Sequence, residues 1–241
     1  MNKNLPLIAT ILTIFGNYYI PNLNNKGLDF VPDEYKLDVQ PANWTFSIWG
    51  VIYTALIYLT YKISRGSITW SNKSITLYLF TCAFNVLWIY FWTQKRADIS
   101  QYLLIGIVLT LFLLWKQNVG ISNKRIYQNI LSVYLAWTLG ASLINIYIAN
   151  GDNNVDSSKS IIYLISAVQI LWQILYSNNN NKLNDSLLFP VTGAWTGLGI
   201  ALNNSSSLGI LKYLPLVVSV GASINHYNNI GTPSLQKLFF N

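Results

Sequence analysis

Tyr134-Leu135-Ala136-Trp137 and Asn85-Val86-Leu87-Trp88 each set a hydrogen-bonding side chain three residues from an indole, inside stretches that are otherwise apolar. Residues three apart share one face of a helix, so each pair offers a flat apolar surface with a polar rim. Trp49 and Tyr53, four apart, repeat the pairing on a third stretch. Asn145 adds an amide about two turns beyond Trp137. The chemistry open to such a set is recognition of a planar apolar molecule, by ring contact and a few hydrogen bonds at its edge. A packed aromatic core satisfies the same pattern.

The residues for conventional catalysis are absent from the apolar runs. His226 is the single histidine and Cys82 the single cysteine, so neither a zinc site nor a disulfide framework can be built. No Asp, Glu, Lys or Arg falls near the middle of an apolar run, where a proton relay or ion pathway would need one. We therefore assign no catalytic residue and no metal ligand, and expect a protein that is not an enzyme. The polar groups inside the runs are hydroxyls and amides, among them Gln169, Gln173 and Asn225. Their ordinary role is to hydrogen-bond one helix to another, worth about 0.6 kcal/mol per bond on average.

These residues must be carried by membrane helices. Of 241 residues, 52% are hydrophobic and 10% charged, against about 25% charged in soluble domains. Apolar runs at 5–20, 46–63, 74–93, 99–115, 127–149, 160–176, 186–202 and 208–225 are each near the length that spans hydrocarbon. The fold expected is an all-α, multi-pass transmembrane bundle of about eight helices in one integral membrane domain over 1–241, with lipid around it. The short fourth and sixth runs, and Pro6 in the first, leave seven as the alternative. The first run lacks a small-residue cleavage site and is read as an uncleaved helix. The net charge of +7 sits in short loops, where it orients helices, so no nucleic-acid partner is expected. Loop charge puts both termini in the cytoplasm and the long first loop, about 21–45, on the opposite side. Trp44, Trp70, Trp92 and Trp115 lie at run ends and suit an interfacial belt, whereas Trp49, Trp88, Trp137 and Trp195 lie further in. Gly193-x-x-x-Gly197, with Ala194 and Ala201, reads as a close-packing face.

Three motifs carry a family likeness. Trp49-x-x-x-Tyr53 follows Pro41-Ala42-Asn43-Trp44; Asn85-x-x-Trp88 is followed eight residues on by Arg96; and Tyr134-Leu135-Ala136-Trp137 is followed by Ala141 and Asn145. In this order and spacing the chain resembles the tryptophan-rich sensory proteins, bacterial relatives of the mitochondrial translocator protein (peripheral benzodiazepine receptor). The likeness covers 41–150 and the first helix, a five-helix core over 1–150, with three further helices over 155–228 as in longer bacterial members. It departs at Ala42 and Val133, where the family has proline. The Lys or Arg expected soon after Tyr147 for sterol recognition is also missing, so cholesterol is not expected.

The resemblance implies a receptor or carrier in the bacterial cell membrane, binding a flat hydrophobic molecule such as a porphyrin. The tetrapyrrole would be a ligand; no cofactor is implied. Trp49, Trp88 and Trp137 would enclose the ring; Asn85, Asn145 and Tyr134 would meet its edge; Tyr53 and Ala141 would complete the pocket. It leaves open light-dependent porphyrin degradation through tryptophan side chains, transport of a small apolar solute, and a homodimer formed through the extra helices.

Overall fold

The computed structural model describes residues 1–23, 37–117, 124–152, 154–176, 187–203 and 207–230. Most of the acidic first loop and the Asn178–Asn181 run lie outside them. Among the described residues the chain forms eight α-helices: α1 (Leu5–Asn22), α2 (Ile48–Ser64), α3 (Asn72–Thr93), α4 (Ala97–Trp115), α5 (Lys124–Ala149), α6 (Val155–Tyr176), α7 (Leu188–Ala201) and α8 (Leu214–Ile230). Short 3-10 turns at Asn43–Ser47 and Gly209–Tyr213 lead into α2 and α8.

Element ends follow local chemistry. Asn154 starts α6 earlier than hydropathy alone suggests, because its Oδ1 accepts the Ser157 backbone N–H at 2.8 Å. Gly151, at φ +73°, stops α5: its N–H reaches Ile148 O while Asp152 N–H reaches Tyr147 O at 2.9 Å. Only a left-handed residue permits that paired closure, and glycine adopts it without strain.

Among the described residues, five segments are long and apolar enough to cross a membrane: Asn43–Ser64, Asn72–Thr93, Ala97–Trp115, Ile126–Ala149 and Val155–Leu175. The first helix argues for lipid in another way. It buries Pro6, Thr10, Thr13, Asn17 and Pro21 and exposes Ile8, Ile11, Leu12 and Phe15. A water-soluble helix does the reverse. In hydrocarbon, polar groups gain by turning inward to partners and apolar ones lose nothing outside. Those partners are present: Thr10 Oγ1 and Tyr78 OH are 2.7 Å apart between α1 and α3, and Thr81 donates to Thr110 at 2.8 Å between α3 and α4.

The order of packing is α1 on α2 and α3, α3 on α4, α4 on α5, and α2 on α5; α7 then joins α5 to α8, and α8 covers α6. The Gly193–Gly197 face is filled from within the chain. The Gln169 amide lies against Gly193, and the α8 backbone at Pro215 and Leu216 lies against Gly197. Two belt assignments are corrected. Trp44 is exposed at a helix end, but Trp70 and Trp115 are buried. Trp115 donates its indole N–H to Ser132 Oγ at 2.9 Å and packs on Trp172, while Trp70 packs on Tyr78 and Tyr127. The Trp115 indole N–H finds a partner inside the bundle, whereas the buried Trp70 Nε1 has none and that ring turns inward by packing alone.

Candidate functional site

The α2 helix brings Trp49 and Tyr53 to the bundle centre, where their rings stack at 5.3 Å. Trp49 meets Trp88 of α3 at 5.9 Å, and Tyr134 and Trp137 of α5 edge-on at 5.8 and 6.4 Å. The three motifs thus converge on one aromatic layer. Beneath it runs a buried amide chain. Asn17 of α1 donates to Asn85 Oδ1 at 2.6 Å, and Asn85 Nδ2 donates to Tyr134 OH at 2.6 Å. Both asparagines are essentially inaccessible. Replacing Asn85 with leucine keeps the volume, removes both bonds and strips Tyr134 OH of its bond from the amide. We expect Asn85→Leu to destabilise the bundle by about 1–3 kcal/mol, read as a lower midpoint in detergent unfolding.

Beside this layer lies a hollow of about 70 Å³ between α3, α4, α5 and α7. Trp88, Trp137, Ala141 and Asn145 line it. Trp49, Tyr53, Asn85 and Tyr134 do not; they form the packed layer behind its wall. The eight expected residues therefore split into a lining set and a supporting set. Sequence reasoning missed Gln40, Pro41 and Phe46 above the hollow and Thr196 of α7 on its side. Phe46 closes edge-on over Trp137 at 5.7 Å.

The roof is a strap, residues 37–47, held by α7 and the segment after it. Ala42 N–H donates to Gly199 O at 3.1 Å, and Trp195 Nε1 donates to Thr45 O at 2.9 Å. The Asn203 side-chain amide donates to Gln40 O, and Ser207 Oγ to the Asp38 carboxylate. Trp44 sits edge-on to Trp195 at 4.9 Å. Gly199 lets the strap seat, since a Cβ there would overlap Thr45. The loop-one end of the bundle is thus closed by contacts with the C-terminal helices.

Polar satisfaction around the hollow is incomplete. Asn145 Nδ2 donates to Gln101 Oε1 at 2.9 Å and to Ala97 O at 3.2 Å, which fixes the amide and leaves its buried Oδ1 without a partner. Trp88 Nε1 and Gln40 Oε1 are also buried and unpartnered. Native interiors leave few such atoms. A second, smaller hollow lies between α5, α6 and α7 and shares Gly140 and Thr196 with the first.

A family model described as "TSPO-like protein" matches residues 3–226, which takes in the C-terminal helices as well as the first five. Among curated proteins, the chain is similar to NADH-ubiquinone oxidoreductase chain 2 of Martes flavigula, 28% identical over 159 residues, 59% of this chain and 45% of that protein. It is also similar to the same protein of Martes zibellina, 32% identical over 129 residues, 52% of this chain and 35% of that protein. The chain thus spans less than half the length of these relatives. No solved structure matches it significantly.

Proposed function

Because the chain belongs to the TSPO-like protein family, we propose that this multi-pass membrane protein is a receptor or carrier for a flat hydrophobic molecule of the tetrapyrrole kind. The observation that carries this is the hollow between Trp88 and Trp137, with the buried Asn145 amide at its wall and a strap for a roof. Pockets for such ligands need roughly 300–1,000 Å³. A guest therefore enters as the strap lifts from α7 and slides against the two indoles. Trp49, Tyr53, Asn85 and Tyr134 hold those indoles in place. No Asp, Glu, Lys or Arg lies near the middle of a described helix, which favours an apolar cargo over an ion. The protein sits in the bacterial cell membrane with a cytoplasmic N-terminus, and the hollow faces the first loop.

Titrating the purified protein with protoporphyrin tests this through tryptophan emission. We expect saturable quenching, and affinities lowered by about tenfold in Trp88→Phe and in Trp137→Phe. Quenching that is linear in ligand, or unchanged in both variants, contradicts the assignment. Carrier action would pass the guest on toward α6, where a second, small hollow shares the lining residues Gly140 and Thr196 with the first. Ligand uptake into proteoliposomes, halted by a bulky residue at Gly140, would distinguish the two.

A further inference from the structure

We infer that the turn leading into α8 is a docking surface for an anionic membrane lipid, whose headgroup phosphate draws Lys212 away from the strap's anchor and frees the strap. The inference goes beyond the receptor reading and does not depend on what the hollow binds. In this turn, Gly209–Tyr213, Ile210 is 85% exposed. Tyr213, Leu202 at the end of α7 and Trp44 on the strap are open as well. Large apolar and aromatic groups at the end of a membrane bundle belong in the headgroup layer. Lys212 stands between Ile210 and Tyr213, and its ammonium lies over the Tyr213 ring at 5.4 Å. A lysine whose neighbours sit in that layer carries its charge at the level of the phosphates, which sets the occupant as an anionic lipid.

The other face of the turn touches the lock on the strap. Leu208 is buried in one cluster with Leu37 and Val39 of the strap. The Lys212 ammonium donates to Asn203 O at 3.2 Å, and the Asn203 side-chain amide donates to Gln40 O. Ser207, in the same connection, holds the Asp38 carboxylate. A phosphate offers Lys212 a negative charge in place of a neutral carbonyl, so it competes for the ammonium. It also brings that charge to the connection that holds Asp38, which disfavours the seated strap. The lipid thus binds the open form better, the condition for shifting the equilibrium.

Hydrogen exchange of the full chain, in nanodiscs of phosphatidylcholine with and without phosphatidylglycerol, tests this. The strap amides report, since Ala42 N–H is bonded to Gly199 O, and the α3 amides serve as reference. We expect phosphatidylglycerol to raise strap exchange by about threefold or more and to leave α3 unchanged. In Lys212→Met the bond to Asn203 is gone, so the strap should exchange fast in both lipids; Lys212→Arg should keep the lipid response. Ile210 touches little of the protein, so Ile210→Asn leaves the fold intact and should weaken the response by lifting the turn out of the headgroups. Inorganic phosphate added to phosphatidylcholine nanodiscs should not reproduce the effect. The inference is overturned by strap exchange that is equal or slower with phosphatidylglycerol, or by a response that survives in Lys212→Met or is untouched in Ile210→Asn. A slow strap in Lys212→Met, loss of the response in Lys212→Arg, or free phosphate acting alone overturns it too. Failure of protoporphyrin to bind would end the receptor reading and leave this result standing.

Discussion

Joining the strap to the segment after α7 by a disulfide, through Asp38→Cys with Ser207→Cys, is expected to abolish ligand binding reversibly. The Asp38 carboxylate and Ser207 hydroxyl already touch, so the two positions face each other across the joint. The native Cys82 is buried in α3 and does not compete. If a guest enters only when the strap lifts, the apparent affinity scales with the fraction of molecules whose strap is free. Oxidation should then weaken binding by about 100-fold or more, and a thiol reductant should restore it. Gly199→Ala presses on the same hinge from the other side, because its methyl group would displace Thr45 and unseat the strap. It should speed ligand association. Unchanged binding in the oxidised protein would place the entry route elsewhere, for example between helices from lipid.

The second large effect concerns the joint between α7 and α8. A Cβ added at Gly197 would lie 2.5 Å from Leu216 N and 2.7 Å from its Cα. These are backbone atoms, so no rotamer change relieves the overlap; the helices must part. Gly197→Ala is expected to cost about 3 kcal/mol or more, the upper end for overpacking, in spite of alanine's better helix propensity. The control is Gly50→Ala, where nothing lies within 4 Å of the new methyl group. That change should be neutral or stabilise by about 0.5–1 kcal/mol. Unfolding midpoints in graded denaturing detergent read both. The consequence reaches the site, since α7 carries Trp195 and Gly199, which hold the strap. A destabilised α7 should bind ligand poorly even where the five-helix core persists.

Much of the fold was legible because the membrane imposes a coarse rule. An apolar run near 20 residues long must be a helix, and the helices found overlap the runs, with the largest shifts at the start of α6 and at both ends of α8. Which face turns inward was less legible. Lipid and core are both apolar, so the periodicity that marks a buried face in water is weak here. The α3 helix exposes Phe80 and Leu87 and buries Ile75 and Ile89, and hydropathy does not distinguish them. Polar residues did report direction: Asn17, Asn85 and Asn145 all point inward. Read that way, Asn17 would have been found as the partner of Asn85. The same rule places Gln101 with Asn145. The strap was not legible. Its grip on α7 combines backbone groups of Ala42, Thr45 and Gly199 with the Trp195 indole and its contact to Trp44, and neither spacing nor hydropathy pairs Trp195 with a loop 150 residues away. Nor could spacing tell that Trp49 and Tyr134 stand behind the wall while Trp88 and Trp137 line it. That follows from how α2 packs against α5.

The central claim is that a planar guest occupies the hollow beneath the strap. Fluorine NMR of protein labelled with 5-fluorotryptophan tests it most directly, because the nine indoles report from distinct places. On adding protoporphyrin, the resonances of Trp88 and Trp137 at the hollow, of Trp92, which also lines it rather than the interface, and of Trp195 at the strap, should shift saturably. Those of Trp70, Trp115 and Trp172, at the far end of the bundle, should stay still. Shifts confined to Trp70, Trp115 and Trp172, or no saturable shift at all, would contradict the account.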